Sequence, residues 1–295
     1  GALVLGEVFM RRGLHGEALE RFREAREGLP EDPAVLNGTA LALLALGEGE
    51  EALDVAQALV RVASGSAEAL AIRARAAHLT GDLVMARQDA AEAIRRAPGR
   101  ADLLVLAGSI ARDQGDIEGG RAAYRAAIQL DPLLVQAWFD LGQMEERQGR
   151  MAEARAAYAR AVQLLPTHLE ATVALSYLLL REGAAPEAVN LLADYLLAEP
   201  VSLEAIMLLG RALLDDRRPA EAVAAFDRVL RFAPEDVSAL FQRGVGLARL
   251  RKYDEARAAW ERVVALQPTG PLAAQARQHA RSARDLAGIL RRGEG

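Results

Sequence analysis

Apolar residues in this chain recur at spacings of three and four, the period of a helix with one buried stripe, and strand-like alternation is scarce. From Val135 the chain carries Trp138, Leu141-Gly142, Gly149, Ala154, Tyr158, Ala161 and Pro166. This pattern predicts an amphipathic helix to about Gln148, a break at Gly149-Arg150, and a second helix from about Ala152 to Leu165. Small residues at Gly142, Ala154 and Ala161 fall where two antiparallel helices cross, so the backbones approach closely, with Trp138 and Tyr158 filling the volume beside them. The unit is a helical hairpin.

Sliding the chain by 34 residues finds the hairpin again. Upstream the same positions hold Leu104, Gly108, Gly115, Gly120, Tyr124, Ala127 and Pro132, and before them Leu70, Ala74, Gly81, Ala86, Ala90, Ala93 and Pro98. Downstream lie Leu209-Gly210, Ala222, Phe226 and Pro234, then Gly244, Ala256, Trp260, Val263 and Pro268. A single hairpin cannot bury its own apolar faces, so a chain that repeats one stacks the copies.

The order W-x2-L-G, then small, aromatic, small and proline, resembles the tetratricopeptide repeat, and the resemblance covers essentially the whole chain. Its units run 33–66, 67–100, 101–134, 135–168, 169–202, 203–236 and 237–270, after a clipped unit 1–32 carrying Gly6, Gly13, Ala18, Phe22, Ala25 and Pro30. The resemblance implies an all-α fold, a right-handed α-solenoid of about eight 34-residue hairpins. Residues 271–295 read as a C-terminal capping helix and tail. Leu272, Ala276, Ala280, Ala283, Leu286 and Leu290 form its expected apolar stripe, and Arg277, Arg281 and Arg284 face out; with Arg291 and Arg292 they also form a candidate anion-binding tail.

Two places depart from the pattern. Gly119 and Gly120 open a second helix, which is explained either by a close crossing or by a hinge. The unit 169–202 has Thr172, Ser176 and Tyr195 where its neighbours carry apolar or small residues, so its local packing must adjust.

Composition fits helix: hydrophobic residues make up 52% of the chain, chiefly Ala and Leu, and aromatics only 4%. Of the 36 basic residues only Lys252 is lysine, the skew of a GC-rich coding sequence and an indication of a bacterial source. A net charge of −5 argues against a nucleic-acid partner. The chain has no cysteine, which excludes disulfides and thiolate chemistry, and no apolar run long enough to insert in a membrane. It opens at Gly1 already inside a repeat, so the native N-terminus is expected to lie elsewhere; a cytoplasmic location is favoured, with a periplasmic one left open.

The search for chemistry finds no enzyme. His15, His78, His168 and His279 share no helix turn, so neither a metal nor another cofactor is expected. No phosphate-binding G-x4-G-K-[ST] and no G-x-S-x-G elbow occurs, and Ser109 falls mid-helix. Glu145-Glu146 and Asp215-Asp216 read as solvated surface.

The family resemblance places the first helices of successive repeats along a concave groove that binds extended peptides or helices. Helix phase selects Asn37, Leu41, Leu44, Ala71, Arg75, His78, Val105, Ser109 and Arg112 in the first half of the chain. In the second half it selects Phe139, Gln143, Val173, Tyr177, Leu180, Met207, Arg211, Leu214, Phe241 and Val245. The second set is apolar for a surface, and aromatic, Met and Arg residues are those enriched at interface cores. Arg75, Arg112 and Arg211 are candidates for gripping carboxylates.

One expected arrangement is absent. The chaperone-binding members of the family hold a terminal carboxylate with Lys, Asn and Arg, but here Leu41, Ile72, Asp102 and Leu106 occupy those positions around Asn37. The leading expectation is a non-enzymatic protein-protein interaction scaffold for an apolar partner segment with some acidic character. The alternatives are the regulatory arm of a larger enzyme such as a glycosyltransferase, and a self-associating envelope scaffold.

Overall fold

The computed structural model describes residues 1–293, and among them every regular element is an α-helix. Glu294 and Gly295 of the expected tail, and the Arg292 side chain, lie outside the described residues. The chain divides into two compact units, Gly1–Ala157 and the residues from Tyr158 onward.

The first unit holds α1 (Ala2–Arg11), α2 (His15–Gly28), α3 (Pro33–Leu46), α4 (Gly49–Val62), α5 (Ala67–Leu79), α6 (Leu83–Arg96), α7 (Ala101–Asp113), α8 (Ile117–Leu130) and α9 (Val135–Arg147). The boundary between the units falls in α10 (Met151–Leu164). The second unit continues with α11 (Leu169–Arg181), α12 (Ala185–Ala198), α13 (Leu203–Asp215), α14 (Pro219–Phe232), α15 (Val237–Arg249), α16 (Tyr253–Leu266) and α17 (Pro271–Gly293).

Helix starts have local causes. Asp32, Ser66, Asp82, Asp116, Ser202 and Asp236 each precede a helix and accept hydrogen bonds from its first free N–H groups. At α11 the cap is histidine: His168 Nδ1 accepts from the Ala171 N–H at 3.1 Å. The turn inside each hairpin needs a left-handed residue at one fixed position. Gly13, Gly47, Gly81, Gly115, Gly149 and Gly183 supply it, but Arg217 and Arg251 occupy the last two occurrences at φ 60°.

In four of the hairpins a glycine on the first helix faces an aromatic ring on the second. Gly6 faces Phe22, Gly108 faces Tyr124, Gly210 faces Phe226 and Gly244 faces Trp260; a Cβ at Gly108 would lie 2.7 Å from the Tyr124 ring. All four rings are buried, each contributing about 1.5–3 kcal/mol through the area it removes from water. Gly120 sits at a backbone approach, since a Cβ there would lie 3.3 Å from the Gly108 carbonyl oxygen, and this favours the close crossing over the hinge.

Within each unit the hairpins stack as an α-solenoid. Each first helix touches the first helix of the next hairpin, α1 on α3, α3 on α5, α5 on α7 and α7 on α9, then α11 on α13 and α13 on α15. Corresponding residues on these helices therefore line up in rows.

The hairpin α11–α12 satisfies only one of its two buried hydroxyls, since Thr172 Oγ1 has no hydrogen-bond partner. Thr172 and Ser176 are buried, and the Ser176 hydroxyl donates to the Thr172 carbonyl at 2.7 Å. The C-terminal stripe matches the expected one through Leu272, Ala276, Ala280 and Ala283 and departs from it at Leu286 and Leu290. Ala273, Ala276, Ala280, Ala283 and Ala287 are buried, whereas Leu286 and Leu290 are exposed. The helix turns its alanines inward because a small side chain permits a closer approach to α16 than leucine does.

Candidate functional site

Rows of corresponding residues on the first helices form the surface that the hairpin stack leaves open. In the first unit Asn37, Arg75, Arg112, Phe139 and Gln143 are all half-buried. Both of its arginines lie beside carboxylates. The Arg75 guanidinium lies 3.7 Å from the Asp102 carboxylate. Arg112 Nε donates to Asp113 at 2.9 Å and its Nη1 to buried Asp140 at 3.5 Å.

These contacts extend into a charged ladder across α5, α7 and α9. His78 Nε2 lies 2.7 Å from Asp113, so Asp113 joins His78 on one helix to Arg112 on the next. Burial works against ionising Asp113, but hydrogen bonds from Arg112 and His78 prevail and hold its carboxyl below the usual range. The same Asp113 contact, ahead of the cost of burial, raises Arg112. Tyr124, whose hydroxyl sits 3.2 Å from Ser109 Oγ, is pushed up to about 12 by burial and then by Asp140. Arg112 thus serves the chain's own carboxylates, contrary to the expectation that it stands ready for a partner's, whereas Arg75 only approaches Asp102, which Arg100 holds at 3.0 and 2.6 Å.

In the second unit the row is freer. Tyr177 on α11 is 44% exposed, and Arg211, 34 residues on at the corresponding position of α13, is also exposed. The Arg211 guanidinium lies 5.7 Å from the centre of the Tyr177 ring, a cation–π contact. One turn earlier on each helix stand Val173 and Met207, both half-buried. The four form an apolar patch with one cation at its edge. Among the described residues Arg211 has no carboxylate partner.

Phe241 does not belong to this patch. It is only 8% exposed and meets the Trp260 ring at 6.4 Å and the His279 ring at 5.6 Å. His279 in turn stacks on Trp260 at 5.0 Å, so α17 covers Phe241 and turns a groove position into packing. Ala71 and Leu214 are likewise buried. Helix phase names the face but not what the next element lays over it.

The reading of Glu145 as solvated surface also fails. Its side chain is 1% exposed and accepts from Arg121 Nε at 3.1 Å, Arg125 Nη2 at 2.8 Å and Arg150 Nη1 at 3.2 Å. The signal in the sequence was the leucine row: Leu43, Leu179, Leu213 and Leu247 hold the corresponding position and are buried.

Among the described residues, no group of three or more His, Asp or Glu side chains could hold a metal ion, and no helix is long and apolar enough to cross a membrane.

Tetratricopeptide repeat family models match residues 3–66, 46–101 and 105–168, then 145–212, then 237–269. No curated protein matches the chain. Among solved structures, YrrB, described as a TPR protein with an unusual peptide-binding site, is 20% identical with a TM-score of 0.57; the match covers 64% of this chain and 97% of YrrB. A thermophilic TPR protein of Thermus thermophilus is 25% identical with a TM-score of 0.55, covering 61% of this chain and 97% of that one. The Cut9–Hcn1 structure of the APC/C matches over 96% of this chain and 55% of the other, at 15% identity and a TM-score of 0.56.

Proposed function

Since the chain belongs to the tetratricopeptide repeat family, we propose that the first-helix face of α11 and α13 receives a peptide or helical segment of a partner protein. Family and fold together support a protein-protein interaction scaffold, and the solved structures to which the chain is similar include a TPR protein described as having a peptide-binding site. The observation that carries the finer reading is the exposed Tyr177–Arg211 pair at 5.7 Å.

An aromatic ring capped by a guanidinium offers an apolar wall and an unmatched positive charge within one side-chain length. A partner side chain with apolar and acidic ends satisfies both. Val173 and Met207 extend the apolar floor, and the flexible thioether adapts to irregular shapes. The helix stack holds all four residues before the partner arrives, which limits the ordering cost to the incoming segment.

The test is affinity capture with the intact chain, comparing the natural sequence with Tyr177→Ala plus Arg211→Ala. Both residues are exposed, so circular dichroism and melting should be unchanged. The reading expects proteins retained by the natural chain to be lost from the double variant; retention of the same proteins at the same level refutes it.

A further inference from the structure

Away from the first-helix row, the seam between α6 and α8 is hollow. Two adjoining cavities of about 470 and 200 Å³ share Arg87, Ala91 and Gln114. Their floor comes from Ala107, Ile110 and Ala111 of α7 and from Ile94 and Ala123 on the flanking helices.

The repeat shows why the space is open. The position of Ala111 is held by Leu43, Leu179, Leu213 and Leu247 in four other repeats and by Ala77, beside Arg73, in another, all five buried. That of Ala107 is held in three by Leu141 and Leu175, both buried, and by half-buried Leu209. Alanine at both leaves the floor reachable by solvent, and Ala107 and Ala111 are themselves part-exposed.

What fills the next seam is more informative still. Advancing by 34 residues carries Arg87 to Arg121, Ala91 to Arg125, Ala111 to Glu145 and Asp116 to Arg150. In that seam the carboxylate of Glu145 is buried, and Arg121, Arg125 and Arg150 all donate to it. The seam at α6 and α8 therefore keeps the first guanidinium of that cluster, Arg87, and lacks its carboxylate. Arg87 is exposed and has no carboxylate partner among the described residues.

We propose that this seam is a binding site for a partner polypeptide that presents an acidic side chain between aliphatic ones. The incoming carboxylate takes the place that Glu145 holds one repeat later and pairs with Arg87, while flanking aliphatic groups fill the space left by the missing leucines. Other polar groups at the rim set the selectivity. Arg95 is held by Glu92, and Gln114 donates to the Leu83 carbonyl at 2.9 Å. Asp116, which caps α8 through Gly119 N–H at 2.9 Å, stands where the later seam has Arg150 and disfavours a doubly acidic ligand.

The test titrates the full chain with the acetylated, amidated peptide Ala-Leu-Glu-Leu-Ala and its Gln analogue, reading the methyl NMR signals of Ile94 and Ile110. The Glu peptide should shift both signals saturably, with the Gln analogue weaker by about twofold to fivefold, the scale of one exposed ion pair. Ala111→Glu supplies the carboxylate from within and should abolish the titration. Arg87→Gln, at an exposed position that folding does not need, should make the two peptides bind alike. Equal binding of both peptides by the natural chain, no shift of either signal, or a titration untouched by Arg87→Gln would overturn the proposal. So would a titration lost with Tyr177→Ala plus Arg211→Ala, which belong to the other site.

Discussion

Replacing Arg217 and Arg251 by glycine should stabilise the chain. Both sit at the hairpin turn where six earlier repeats place glycine at φ between 71° and 84°, and both adopt φ 60°. A side chain in that left-handed region costs about 1–2 kcal/mol, whereas glycine fits it without penalty but orders from a freer unfolded chain, offsetting up to about 1 kcal/mol. Both arginines are exposed and without an ion pair among the described residues, so no contact is lost. The net gain expected is about 0.5–1 kcal/mol per site. Urea unfolding followed by Trp260 fluorescence, in a Trp138→Phe background, reads the transition of this region. The midpoint should rise with an unchanged slope, while Gly183→Ala, at φ 78°, should lose about 1 kcal/mol as the control. Lower midpoints for Arg217→Gly and Arg251→Gly, or a neutral Gly183→Ala, would refute the assignment of turn strain.

Phe241→Ala should cost about 3–5 kcal/mol in the same assay, because the ring is packed against Trp260 and His279; a loss below about 1 kcal/mol would return Phe241 to the surface. Glu145→Ala should destabilise the first unit by about 3–5 kcal/mol, since three arginines lose one buried carboxylate. Hydrogen exchange at α8 and α9 checks this, and protection equal to the natural chain's would contradict it.

The helical hairpin was legible in the sequence because its determinants are local. Apolar spacing, capping residues such as Asp236, and the glycine facing an aromatic ring all act within one repeat. Exposure depends on neighbours that the spacing does not name. Phe241 has the phase of a groove residue, yet α17 covers it with His279. Glu145 has the composition of a surface residue, yet its position lies in a buried leucine row, and arginines from α8 and from the turn ahead of α10 reach it. Arg112 has the phase of a groove residue, yet Asp113 beside it and Asp140 on the next repeat engage it, and spacing alone does not bring those carboxylates to it. Tyr177 and Arg211, which helix phase also selects, are exposed among the described residues.

The most direct measurement is photo-crosslinking from position 207, one turn before Arg211 on the proposed face, against position 232, where Phe232 is exposed on the second helix of the same hairpin. With p-benzoylphenylalanine at each position in turn, the account predicts partner adducts from 207 that disappear in the Tyr177→Ala plus Arg211→Ala background, and none from 232. Adducts of equal yield from both positions, or adducts from 207 that survive the double substitution, would contradict it.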